Sequence, residues 1–393
     1  MKIDSVDLFY LAMPEVTTDV DGSQDALLVR VRSGPHAGWG ECEASPLTCI
    51  ASFVTPMSHG VCRAVGEVVL GATIDDPADI HRIAAEVRYK CMDLLQADHT
   101  FSGIEIALWD LLGQRLGEPV YRLLGYDSAS PKLAYASQLF GDTPAETESR
   151  GRAAREAGYR AVKFGWGPFG HGSAAEDAAH LEAARAGLGR DGQLLVDAGQ
   201  AFREDVAKAA TRLSALARAG AVWLEEPFAA DAYQAYGALA AREPAVRLAG
   251  GEGCHTPAMA RHLIDLGRIG FVQIDTGRIG GIGPAKEIAD YAVARGITFV
   301  NHTFTSHLAL SASLQPYAGL ADHTIAEYPF APRALGLAIT SNRILPDSNG
   351  LIRIPEAPGL GMTIDAAALK PYLRDVEIKV EGRVLYRTPA LDG

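Results

Sequence analysis

From Lys132 onward the chain alternates short apolar runs with helical stretches, and the apolar runs keep ending on ionisable residues. Candidate strands fall at 133–139, 161–164, 194–197, 222–225, 246–249, 271–275, 297–302 and 324–327, and the helical patterns between them include 174–186, 203–219, 257–265 and 284–294. Eight strand–helix units over roughly 200 residues is the scale of a (β/α)₈ barrel of the TIM type, whereas a doubly wound sheet rarely needs eight. In a barrel, residues at the carboxyl ends of the strands converge on one mouth.

Those ends carry Asp197, Glu225 (followed by Glu226), Glu252, Asp275, His302 and Glu327, and consecutive members are 23 to 28 residues apart. Each interval is about one strand–helix unit, so the side chains occupy successive staves. A single acid after a strand is usually a helix cap or a solvated loop residue. Six in succession are different, because carboxylates crowded at one mouth repel each other unless a cation sits among them. All-oxygen ligation points to Mg²⁺, or Mn²⁺, rather than zinc. His302 and His307 are five apart, but no third soft ligand accompanies them.

The first 126 residues read differently: strands at 3–11, 25–33 and 39–43, a Pro/Ser/Thr-rich loop at 46–60, then helices at 79–95 and 102–116. This is an α+β unit. The expected organisation is an α+β capping domain at 1–126, the catalytic barrel at 127–352, and a segment at 353–393 that returns to the capping domain. With 48% hydrophobic and 21% charged residues the composition is globular, and no apolar run is long enough to span a bilayer. The formal charge of −12 disfavours nucleic acid or an anionic membrane as partner, and requires a local cation if the substrate is an anion. Five cysteines without metal-type spacing, and no secretory leader, suggest a reduced, cytoplasmic protein. The cluster GRIGGIG (277–283) lacks a proper G-x-G-x-x-G and reads as a barrel loop.

The segments GIEIALWDLLGQRLGEPVYRLLG (103–125), GYRAVKFG (158–165), LLVDAGQ, WLEEP, GGEG, VQIDTGRIGGIG and NHTFTSH together resemble the enolase superfamily, in particular its mandelate racemase subgroup. The resemblance runs over nearly the whole chain and implies a modified, enolase-like barrel closed by a capping domain built from both chain ends. It also implies that Asp197, Glu225 and Glu252 hold one Mg²⁺ per subunit, and that Asp275 and His302 form a catalytic dyad. Glu327 would hydrogen-bond the substrate carboxylate, and Lys163 would be the first lysine of a Lys-x-Lys motif. A homo-oligomer is expected, as is common in the family. Three positions depart from the pattern: Gly165 replaces the second lysine, Gly199 an asparagine after the first ligand, and Gly253 an asparagine after the third.

Chemistry shared by the family is removal of the proton α to a carboxylate. Racemisation needs acid/base groups on both faces of the resulting enediolate, and Gly165 removes the expected second one. With His302 alone, syn elimination of water from an acid sugar, giving a 2-keto-3-deoxy acid, is the expected reaction. Trp166 is expected either to fill the space of the missing lysine or to line the sugar pocket, and His171 in the same loop is a candidate second acid/base group. Specificity is expected from capping loops near 17–25 and 43–55. The alternatives are a racemase or epimerase of a 2-hydroxy acid with an unrecognised second base, or a non-catalytic, metal-stabilised binding protein. A cycloisomerase is disfavoured, since that subgroup uses lysines on both faces.

Overall fold

The computed structural model describes residues 1–17, 24–43, 45–242 and 246–392. The capping loop expected at 17–25 therefore lies largely outside the described residues. Strands β1 (Ser5–Ala12), β2 (Asp25–Ser33) and β3 (His36–Glu43) form an antiparallel meander. The short strand Leu373–Arg374 pairs with β1, Tyr10 opposite Arg374 and Leu11 opposite Leu373, which places this part of the C-terminal segment against the first sheet.

Helices α1 (Pro46–Val54), α2 (Val65–Val69), α3 (Pro77–Lys90) and α4 (Ala97–Leu116) follow, and then a single turn at Val120–Leu123. Helix α1 corrects the expectation of a loop at 46–60. Pro46 occupies the first turn, where its missing N–H costs nothing, and Pro46, Cys49, Ile50 and Phe53 share one buried face. Helix α4 is buried at every position from Thr100 to Gly113, because β3 covers one side and the barrel the other. Glycine makes that contact possible. A Cβ on Gly40 would lie 2.1 Å from the Gly103 carbonyl oxygen, closer than any side chain tolerates.

The second unit is a nearly closed barrel of eight parallel strands: β4 (Lys132–Leu139), β5 (Ala161–Gly165), β6 (Gln193–Asp197), β7 (Ala221–Glu225), β8 (Arg247–Gly250), β9 (Phe271–Asp275), β10 (Thr298–His302) and β11 (Ile325–Pro329). Each overlaps its expected range. Among the described residues no backbone ladder joins β10 to β11. There the Asn301 amide closes the seam, donating to the Glu327 carbonyl at 3.3 Å and accepting the Glu327 N–H at 2.9 Å.

Inside the barrel the period of two along a strand separates plug from site. Tyr135, Ala161, Leu195, Trp223, Ala249, Phe271, Val300 and Ile325, one from each strand, form a sealed apolar ring. Two residues further along, on the same inward face, come Ser137, Lys163, Asp197, Glu225, Gln273, His302 and Glu327. The polar layer thus rests on a dry floor.

The cap is fastened to the barrel by buried carboxylates of α4. Glu105 accepts the N–H groups of Ile282 at 2.6 Å and Gly283 at 2.8 Å, at the start of the barrel helix Ile282–Val293, and the Trp109 indole N–H at 2.7 Å. Gly281, at φ 112°, leaves the space: a Cβ there would sit 2.0 Å from Glu105 Oε2. The GRIGGIG segment is a barrel loop whose glycines let the cap carboxylate in. No helix among the described residues is long and apolar enough to cross a membrane.

Candidate active site

Strand pairing sets the relative heights of the polar residues. Asp197 is directly opposite Glu225, and His302 is opposite Asp275. Lys163 on β5 reaches across the mouth, with Nζ 2.7 Å from Glu225 Oε1, 2.9 Å from Glu327 Oε1 and 3.4 Å from Asp197 Oδ2. Burial alone would lower its pKa, but Glu225 and Glu327 hold it well above the ordinary lysine range. These contacts favour its ammonium form.

The carboxylates are under strain of the opposite kind. Burial raises Asp197 well above the usual range and Glu225 works in the same direction; Glu225 itself is raised by burial despite Lys163. Glu226, with backbone φ 37°, is pushed up to about 8 by burial and by Glu252 and Glu225. Glu252 follows Gly251 (φ 130°) just past β8 and meets His302 Nε2 at 3.2 Å and Arg278 at 3.4 Å. Among the described residues the three expected ligands are not drawn onto one point: Asp197 and Glu225 lean on Lys163, Glu252 on His302 and Arg278. The donor set still fits a hard divalent cation. It is all oxygen, it stands on three adjacent strand ends, and its crowded charges are ones such a cation would relieve.

His302 is oriented from behind. Its Nδ1 is 2.7 Å from Asp275 Oδ2, while Asp275 Oδ1 accepts the Gly277 N–H at 2.6 Å. This leaves Nε2 facing the mouth. Burial opposes charge on the ring, but Glu252, Glu327 and the Asp275 hydrogen bond raise its pKa well above the ordinary imidazole range. Glu327, fully buried, accepts the Thr303 N–H at 3.1 Å and lies 3.8 Å from His302 Nε2.

A cleft of about 440 Å³, its open mouth included, is bounded by Lys163, Gly165, Trp166, Asp197, Glu252 and His302 among others. Gly165 is packed against Asp197: a Cβ there would lie 3.0 Å from Asp197 Cβ and Oδ2. The Trp166 indole lies over Gly199, where a Cβ would come within 2.7 Å of the ring. Two of the departures are thus one local arrangement, an indole occupying space that an asparagine would need. His171 is exposed in the following turn and does not line the cleft.

Three neighbours of the site were not foreseen from sequence. Arg278 lines the cleft beside Glu252, Phe304 borders it, and Glu41 of β3 reaches from the cap to accept the Ser306 hydroxyl near His302. Glu41 is 1% exposed, and alternation along β3 was its one available signal.

The family model described as enolase C-terminal domain-like matches residues 146–368, and that of the mandelate racemase / muconate lactonizing enzyme N-terminal domain matches 12–125. The D-galactarolactone cycloisomerase of Agrobacterium fabrum is 29% identical over 350 residues, covering 85% of this chain and 87% of the relative. The L-rhamnonate dehydratase of Saccharopolyspora erythraea is 29% identical over 338 residues, covering 81% and 80%. A crystal structure described as a predicted mandelate racemase from Rhodobacter sphaeroides is 63% identical, with a TM-score of 0.96 over 99% of this chain and 100% of that one.

Proposed function

Since the chain belongs to the enolase superfamily, in its mandelate racemase / muconate lactonizing enzyme branch, we propose that it is a Mg²⁺-dependent acid-sugar dehydratase. The observation that carries this reading is the one-sided base. His302 faces the cleft through Nε2, Lys163 is ion-paired to Glu225, Glu327 and Asp197, and Gly165 is too close to Asp197 to be anything larger without moving it. Relatives named as dehydratases of L-rhamnonate, arabinonate and D-xylonate support the substrate class.

In this reading Asp197, Glu225 and Glu252 hold Mg²⁺, whose charge, when bound, stabilises the negative charge that develops on the substrate carboxylate. Lys163 places its ammonium beside that charge, and Glu327, as the carboxylic acid, donates a hydrogen bond to the substrate carboxylate. With Glu252 engaged by a bound cation, one of the attractions that favour the His302 imidazolium would be weakened, as a general base requires. His302 Nε2 then takes the α-proton while its Nδ1–H donates to Asp275, whose carboxylate supports the imidazolium. The same imidazolium protonates the β-hydroxyl on that face, water leaves, and the enol becomes a 2-keto-3-deoxy acid. Trp166 covers the open side of the cleft. A homo-oligomer and a cytoplasmic address belong to this reading as expectations.

A panel of acid sugars incubated with enzyme and Mg²⁺ tests it. Formation of a semicarbazide-reactive 2-keto acid from at least one member is expected; none from any member would refute it. The relative named as a D-galactarolactone cycloisomerase favours a second reading, in which the same base opens a sugar lactone by β-elimination. Including lactones in the panel separates the two.

A further inference from the structure

We infer that the capping domain carries a second metal site, for a thiophilic cation of the zinc class, formed by Cys42 of β3, Cys49 of α1 and His99 of α4. One donor atom from each of these three residues lies within 4.8 Å of the others, and His99 comes from a helix that starts more than forty residues after α1 ends. Two thiols and an imidazole are the donor types zinc prefers, and they exclude the hard cation assigned to the barrel mouth.

A buried cysteine is most often a small apolar residue packed among others. The surroundings of Cys49 differ. The Gln96 amide donates to its sulfur at 3.8 Å. The Thr100 hydroxyl, fully buried, makes no hydrogen bond at ordinary distance, yet lies close enough to favour charge on Cys49. Hydrogen bonding from Cys42, with help from His99, brings the Cys49 thiol down to about 6 against the effect of burial, while Cys42 is raised well above the usual thiol range. A cation entering the cluster would bind both sulfurs as thiolates and release the thiol protons they carry. The partly exposed His99 marks the side open to solvent, where water can complete a tetrahedral shell.

The position gives such a site a use. It ties α1 to β3 and α4, and α1 carries most of the capping segment at 43–55. The Cys42 Cα is also the backbone atom against which Gly277 packs, at 3.3 Å from a Cβ built there, and the Gly277 N–H holds Asp275. A cation here would fix the cap where it touches the loop that orients the dyad.

The test uses the full, reduced protein with Mg²⁺ saturating the oxygen site, titrated with Co²⁺. About one equivalent should produce strong sulfur-to-cobalt absorption in the near ultraviolet. C42S and C49S should abolish it, and Zn²⁺ should displace it, while C62S should leave it intact. Should the serine variants fail to fold, the native protein supplies a second readout: Zn²⁺ should slow alkylation of Cys42 and Cys49 by ~tenfold or more relative to Cys62. Co²⁺ spectra without the near-ultraviolet band, a band that survives C49S, or alkylation unchanged by Zn²⁺ would each overturn the assignment.

Discussion

Replacing Asp275 by asparagine keeps the shape of the side chain but changes which atoms accept. In the native site one oxygen takes the Gly277 N–H at 2.6 Å and the other meets His302 Nδ1 at 2.7 Å. The Gly277 donor belongs to the backbone and cannot turn away, so the asparagine carbonyl takes that side and its NH₂ faces the imidazole. Two donors cannot share that contact. His302 must then accept at Nδ1 and carry its proton on Nε2, the atom that has to receive the α-proton. The carboxylate that favoured the imidazolium is lost as well, so the His302 pKa falls. The same substitution in a buried Ser-His-Asp triad costs ~10⁴ in turnover. Here we expect ~10³–10⁴, about 4–5.5 kcal/mol of transition-state stabilisation. Two assays apply: kcat and KM on a substrate from the acid-sugar panel, and ¹⁵N imidazole spectra without substrate. The loss should fall on kcat, with His302 of the variant as the neutral Nε2–H tautomer. Turnover within tenfold of native, or a spectrum still showing Nδ1–H, would refute the role given to the dyad.

Mg²⁺ should raise the melting temperature, since a cation at 100 times its Kd adds about 2.7 kcal/mol; Asp197→Asn should remove that response, and an unchanged Mg²⁺ shift in the variant would place the ion elsewhere. Gly199→Asn should push the Trp166 ring away, because a Cβ already comes within 2.7 Å of it; the indole emission should shift and KM rise, and native fluorescence with native KM would contradict this packing. Burial raises Glu105 to about 7, so the native state binds its proton more tightly than the unfolded chain does. Its contribution to stability is therefore complete below the unfolded carboxylate range and is lost as pH rises through about 7. In urea unfolding the difference between native protein and Glu105→Gln should shift by up to about 3 kcal/mol across that window, and a pH-independent difference would show that Glu105 is ionised throughout.

The strands of the barrel could be read from sequence because each carries its own signal: a short apolar run, an inward ionisable residue, and a helix before the next run. That Asp197, Glu225, His302 and Glu327 face one mouth could be read for the same reason, since the period of two fixes which way each faces once its strand is placed, whereas Lys163 was reached only through the family resemblance. What failed to show was whatever depends on partners far along the chain. Helix α1 looked like a loop because its Pro, Ser and Thr content is that of turns, and only its buried stripe of Pro46, Cys49, Ile50 and Phe53 distinguishes it. Glu41 and Ser306 are 265 residues apart, and Glu105 and Ile282 177 apart. No local pattern announces such pairs, and both sit where cap meets barrel. The glycines of GRIGGIG illustrate the point, for their role is set by a carboxylate on α4 and not by their own segment. The same holds for Cys42, Cys49 and His99, which come together only when β3, α1 and α4 pack. On the proposed reading the strand ends encode the reaction locally, and the choice of substrate is expected to depend on how the cap seats over them. A variant that loosens the cap through Glu105 should accordingly change KM and substrate preference before it changes the chemistry at His302.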